Sequence, residues 1–255
     1  MLCSVILNKK MKSGFGVFIF TFLFILEVHA QSTFVGGVFP TIDHTGTINQ
    51  KLDYSLYYFG AFPLANLENV ALKKDPNFLL FYAEQGLTFN KNKKLSFNAS
   101  YVYQRENVVK SNYINEHRAH IQATYNHSSK SLLFKHRVRL DNRFIHDRKT
   151  GKTPYTHRLR YLFKLEFPLK TKNGGLYFNV YEEAFFNTFK SANSIYAENW
   201  SYAALGKKLN DANKLEAGLL YITWNTAGKN WFHQYYFQFT WISNIKFKKN
   251  KNSEL

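Results

Sequence analysis

Cysteine is nearly absent from this 255-residue chain: it holds one, Cys3, within an N-terminal segment that reads as a removable leader. Without that segment the chain has no thiol, no disulfide and no cysteine-based metal site. No cysteine remains near the expected cleavage point to carry a lipid. Acidic residues are also scarce, 17 against 34 basic ones, for a formal charge of +17. A basic chain suits nucleic-acid phosphates or the head groups of anionic lipids. A leader that exports the chain away from nucleic acid favours the second. Beyond residue 26 no apolar run approaches the roughly 20 residues that a membrane-spanning helix needs. Glycine forms no phosphate-binding loop, since Gly36-Gly37 and Gly174-Gly175 are isolated pairs. No Pro/Ser-rich linker divides the chain, so a single domain is expected.

The leader begins at Met11-Lys12-Ser13, continues through an apolar core of about 13 residues from Gly14 to Leu26, and ends in Val28-His29-Ala30. These are the parts of a secretory signal, and its core is too short to span a bilayer. Cleavage is expected after Ala30, with translation starting at Met1 or Met11. The expected organisation is a signal peptide over 1–30, a barrel over 31–247 and a basic tail over 248–255.

The remainder is rich in aromatic residues, with 25 Phe and 17 Tyr, yet mean hydropathy is only −0.36. Apolar side chains must therefore be interleaved with polar ones. In Lys135-His136-Arg137-Val138-Arg139-Leu140-Asp141-Asn142-Arg143-Phe144, the odd positions carry the charges. In Arg158 to Phe167 one face carries Leu159, Tyr161, Phe163, Leu165 and Phe167. Ser96, Asn98, Ser100 and Gln104 oppose Leu95, Phe97, Ala99, Tyr101 and Tyr103, while Gln234, Gln238 and Thr240 oppose Tyr235, Phe237, Phe239 and Trp241. Successive side chains of a strand point to opposite faces, so each segment has one apolar and one polar face.

The pattern predicts ten antiparallel strands near 50–62, 77–89, 95–105, 114–126, 131–145, 155–167, 176–188, 196–207, 214–225 and 231–247. A further strand at Phe34–Ile42 leaves twelve as the alternative. Turns at Asn90–Lys94, His127–Lys130, Lys170–Gly174 and Asn210–Asn213 are short. The connections near 63–76, 106–113, 146–154, 189–195 and 226–230 tend to be longer. That asymmetry, with both termini on the short-turn side for a count of ten, is that of a porin-like transmembrane β-barrel in the bacterial outer membrane. A soluble periplasmic ligand-binding barrel, apolar inside and charged outside, shares the alternation and is the alternative.

With apolar faces toward lipid, the lumen is expected to hold Glu84, Glu116, Arg118, Lys135, Arg137, Arg139, Asp141, Arg143, Arg158, Arg160, Lys164, Glu166, Glu183 and Glu216. Interleaved Arg–Glu pairs filling a narrow interior is the favoured reading. An anion-selective pore or a pocket for an acidic ligand is the other. His127-Ser128-Ser129 has the His-x-Ser spacing of a lipid hydrolase, but it falls in an expected tight turn, which explains those residues without catalysis. No enzyme activity is therefore expected. His117 and His120, or His136, His146 and His157, share no face with carboxylates at ligand spacing, so no metal and no cofactor is expected. Lys73, Lys74, Lys110, Arg148, Lys149 and Lys152 are candidate contacts for lipopolysaccharide phosphates.

Several segments resemble an uncharacterised family of bacterial outer-membrane β-barrels, a domain of unknown function of the DUF2490 type. They are Phe34 to Asp43, Asn115-Glu116-His117-Arg118, Thr156 to Tyr161, Tyr181 to Asn187 and Glu198-Asn199-Trp200. The resemblance runs from about Phe34 to Phe247. It implies a barrel in the outer membrane, inserted there by the barrel-assembly machinery, and it carries no substrate or catalytic residue. Such barrels often end on an aromatic residue, whereas here Phe247 is followed by a basic tail to Leu255.

Overall fold

The computed structural model describes residues 34–68, 71–74, 76–169, 175–188, 195–226 and 230–246. The expected leader at 1–30 and tail at 248–255 lie outside these. The described residues contain strands and no helix: β1 (Phe34–Thr47), β2 (Leu52–Glu68), β3 (Ala71–Lys74), β4 (Leu80–Asn90), β5 (Leu95–Glu106), β6 (Ile114–Ser129), β7 (Leu132–Asp147), β8 (Tyr155–Pro168), β9 (Leu176–Asn187), β10 (Tyr196–Lys208), β11 (Asn213–Thr226) and β12 (Asn230–Lys246).

Eleven of these strands close into a barrel. Sequential antiparallel pairing runs from β1 through β2 and β4 to β12, and β1 then pairs with β12 to complete the ring. The short β3 pairs only with the end of β2, over Ala65–Glu68. The wall thus has neither ten strands nor twelve. The expected even count fails because Phe34 to Thr47 is a full strand while Ala71–Lys74 is a hairpin extension outside the ring. An odd count forces the closing pair to be parallel, as β1 and β12 are from Phe34↔His233 to Thr47↔Lys246. The chain therefore enters the wall at the long-loop rim and leaves it at the short-turn rim, rather than having both ends on one side.

β1 is irregular for local reasons. Its register with β2 shifts at Gly36/Gly37 and skips Phe39 and Pro40, since a proline has no N–H to give the ladder. A methyl at Gly37 would overlap the Phe62 carbonyl, so only glycine lets the two backbones approach there. A second shift lies at Tyr196/Glu198, on β10.

The short turns are built by asparagine. Asn49 Oδ1 accepts the backbone N–H groups of Lys51 and Leu52 at 2.9 and 3.0 Å, and Asn92 Oδ1 those of Lys94 and Leu95, both at 2.8 Å. Asn210 Oδ1 repeats this with the N–H of Ala212 at 2.9 Å. The side chain stands in for a backbone acceptor and fixes the reversal. Lys130 takes a positive φ of 54° in the tightest turn, between β6 and β7.

The two faces separate as the alternation requires. Leu87, Ile121, Leu140, Leu219, Phe237 and Phe239 point outward and are exposed, while Glu116, Arg118, Arg139, Asp141 and Glu183 point inward and are buried. Among the inward residues of β1, β2, β4 and β10–β12 there are aromatic and aliphatic side chains as well, beside polar ones such as Gln234, Gln238 and Thr240. Phe39, Phe59, Tyr82, Tyr202, Leu220 and Tyr236 form a cluster inside the ring, with Phe39 and Phe59 stacked at 4.7 Å and Phe59 and Tyr82 at 4.4 Å.

Candidate functional site

Inward positions of β4 to β9 bring arginine and carboxylate side chains to mid-height in the lumen. Because the strand period is two, each of these strands presents its charged residues in a column, and hydrogen-bonded register sets columns side by side: Gln122↔Arg139↔Arg160 and His120↔Asp141↔Arg158 are direct neighbours. Arginine neighbours arginine at Arg139 and Arg160 across β7 and β8, so Asp141 of β7 is joined by carboxylates that reach in from other strands.

They do so as a ladder. Glu116 binds Arg143 through both oxygens at 2.7 Å and Arg118 at 2.7 Å. Asp141, with no solvent exposure, faces Arg158 at 3.3 Å, Arg118 at 3.6 Å and Arg160 at 3.8 Å. Glu183 takes Arg137 at 2.7 Å and Arg160 at 2.8 Å. Glu84 takes Arg139 at 3.1 Å, the Tyr82 hydroxyl at 2.6 Å and the His120 ring at 3.4 Å. Shared charge-assisted hydrogen bonds of this kind are what keep a guanidinium ionised away from water.

Nearer the short-turn rim the ladder thins. Glu216 accepts from Tyr177 and Asn179 at 3.0 Å and lies 3.9 Å from Lys164, while Glu166 lies 3.6 Å from Lys214. Lys135 stands directly across from Lys164 on β8 and is exposed, facing the open end of the lumen. Of the fourteen residues expected to line the interior, thirteen lie in these ion pairs. Lys135 alone has no ion pair among the described residues.

Sequence reasoning missed several members of the same network. Gln104 and Gln122 brace Arg118 and Arg139 at 3.2 and 2.8 Å, and Glu198 takes Arg158 at 3.0 Å and the Trp200 indole N–H at 2.6 Å. The alternation already puts Gln104 on the polar face of its strand, and Gln122 shares the parity of its charged neighbours, so counting uncharged residues of that face among the lumen set would have found both. Glu198 sits beside the register shift of β10, where parity gives no guide. The aromatic cluster was missed for another reason: in stretches such as Tyr57-Tyr58-Phe59 of β2 both faces are apolar, and alternation cannot tell in from out. The ladder and the cluster meet at Phe185, which carries the guanidiniums of Arg160 and Arg158 over its ring at 4.3 and 4.7 Å.

Of the described histidines only His120 points inward. The others lie on the outer wall, four of them hydrogen-bonded to tyrosine on the neighbouring strand: His44–Tyr54 at 3.0 Å, Tyr101–His117 at 2.5 Å, His136–Tyr161 at 2.9 Å and Tyr221–His233 at 2.6 Å. His127 and Ser129 occupy the end of β6 rather than the turn, which is reduced to residues 130–131. The His127 ring stacks on Phe134 at 4.7 Å, and the described residues contain no hydrogen bond between it and Ser129.

A family model described as "Protein of unknown function (DUF2490)" matches residues 47–246. The chain belongs to this family. No curated protein and no solved structure matches it. The matched residues take in the barrel wall from the end of β1 to the end of β12, including every residue of the ladder. In this member of DUF2490 the ladder and the aromatic cluster both lie inside the barrel.

Proposed function

We propose that the chain is an integral outer-membrane barrel whose lumen is closed at mid-height, with a structural role or the binding of a small solute at the basic mouth near Lys135. The outer wall carries this reading. On β6, His117 and His127 bracket the outward residues Ala119, Ile121, Ala123 and Tyr125; on β7, His136 and His146 bracket Val138, Leu140, Asn142 and Phe144. Ten residues of a strand tilted by about 40° rise about 25 Å, which is the height of the apolar band on an outer-membrane barrel. Histidine and tyrosine at both edges of that band are suited to an interface where one end of a side chain is wet. A soluble barrel would carry its charges outside, and this one carries Arg118, Arg139, Asp141 and Glu183 inside.

The basic residues Lys73, Lys74, Lys110, Arg148, Lys149 and Lys152 all belong to the long-loop rim, where they would meet lipopolysaccharide phosphates. Fractionation followed by planar-bilayer recording tests the proposal. Recovery in the outer-membrane fraction, with conductance near baseline, is expected. Steady open-channel currents would overturn the closed lumen, and recovery without detergent would overturn the membrane reading.

A further inference from the structure

Lys135 has no ion pair among the described residues, and its register partner across β7 and β8 is another cation, Lys164. Like charges set opposite one another on adjacent strands repel. Two residues along β7, Arg137 gives its Nη2 to Glu183 at 2.7 Å, while its buried Nε has no hydrogen-bond partner among the described residues. The carboxylates of neighbouring strands are engaged elsewhere, since Glu216 lies 3.9 Å from Lys164 and Glu166 lies 3.6 Å from Lys214. One wall of the lumen therefore gathers three cations and leaves a lysine without a counter-charge.

The opposite wall carries an unmatched acid. Asp43 of β1 points inward, in step with the buried residues Phe39 and Thr41, while Ile42 is exposed on the outer face. Around the ring, β7 is reached from β1 through β2, β4, β5 and β6, and β8 through β12, β11, β10 and β9, so this pair stands diametrically across from β1. Asp43 is in electrostatic reach of Lys135 and Lys164, yet among the described residues no cation lies within ion-pair distance of it. Tyr57 and Tyr181, the register neighbours of Asp43 and Lys164, pack against the aromatic cluster and bound the space on that side. Solvent enters between the walls: the inward side chains of Arg137 and Lys164 are 19% and 24% exposed, against 2% for Arg118 and 0% for Asp141 in the ladder.

We propose that this open end of the lumen binds a small zwitterion, an amino acid or short peptide, with its carboxylate on Lys135 and Lys164 and its ammonium on Asp43. The proposal deepens the solute-binding reading above and rests on it. A carboxylate held between two lysines removes their mutual repulsion and takes charge-assisted hydrogen bonds from both. A simple anion gains the lysines but leaves Asp43 unmatched. A simple cation gains Asp43 and meets the three positive charges opposite. Only a solute carrying both charges is complementary to both walls, and that complementarity sets the selectivity.

The test is equilibrium binding to the full chain in detergent, read by titration calorimetry. Glycine and triglycine are the zwitterionic probes, and acetate and methylammonium carry one charge each. At least one zwitterion is expected to bind roughly tenfold more tightly than acetate, the gain of one further charge-assisted contact, with no binding of methylammonium. Lys135→Met is expected to abolish binding, and Asp43→Asn to bring the zwitterion down to the affinity of acetate. Both variants should retain the heat-dependent gel shift, since neither residue belongs to an ion pair of the ladder. Acetate binding as tightly as either zwitterion, no binding of any probe to folded barrels, or indifference to Asp43→Asn would each overturn the zwitterion site and leave the barrel reading standing. Recovery in the soluble fraction with no heat shift would overturn the membrane reading and the proposal with it.

Discussion

Asp141 has no solvent exposure and faces three arginines, on β6 and β8. Removing it leaves Arg118 with Glu116 and Arg160 with Glu183, but strips a shared counter-charge from the centre of the ladder. Asp141→Ala is expected to destabilise the barrel by about 3–5 kcal/mol, the cost of leaving buried charge uncompensated. Asp211 offers the contrast, since its ion pair with Lys208 is fully exposed and Asp211→Ala should change little. The temperature at which the folded gel band converts to the unfolded one checks both, with a clear fall expected only for Asp141→Ala. Glycines give a second comparison. A side chain at Gly206 would overlap the Tyr177 ring, whereas nothing lies within 4 Å of a methyl at Gly36. Gly206→Val should therefore cost about 1–3 kcal/mol by overpacking. Gly36→Val should be tolerated by the same gel measurement.

At the scale of the strand, the outward face of β6 is the most direct probe of its surroundings. Ile121 is 61% exposed and lies near the middle of β6, between His117 and His127. Ile121→Lys is expected to cost about 2–4 kcal/mol in lipid, while His127→Lys at the edge should cost no more than about 1 kcal/mol. Denaturant titration in lipid vesicles measures both, and equal effects would argue that the wall faces water.

The strands themselves were largely legible in the sequence, because Arg137, Arg139 and Asp141 alternate with Val138 and Leu140 without interruption. Boundaries of the ten expected strands fall within several residues of the observed ones. Where legibility failed, physics explains it. β1 lacks clean alternation, since Gly37 and Pro40 serve backbone geometry rather than facing. Phe59 and Tyr58 are both apolar, so the direction of each depends on what the opposite wall supplies. The ion-pair partners of the ladder were readable as a set but not as pairs, because Glu183 meets Arg160 diagonally on the next strand and Arg137 across the intervening Leu162, contacts set by inter-strand register that no single strand's pattern encodes.

For the molecule as a whole, the odd strand number and the charge distribution matter together. Interior acids and bases are closely matched through the ladder, so much of the +17 excess falls on turns, loops and chain ends. Lys51, Lys91, Lys93, Lys94, Lys130, Lys207 and Lys208 crowd the short-turn rim, against Asp211 as the acidic residue among the described turn residues there. Both rims are therefore basic around an apolar belt, an arrangement suited to two layers of anionic head groups. The central claim is that this is a closed barrel whose outer face meets lipid. It is tested most directly by comparing boiled and unboiled samples of the outer-membrane fraction on a denaturing gel. A closed ring has no free strand edge at which detergent can begin to open it. A closed, lipid-facing barrel is expected to give a folded band that shifts on boiling and is confined to the outer-membrane fraction. A chain found in the soluble fraction, with the same mobility before and after heating, would contradict it.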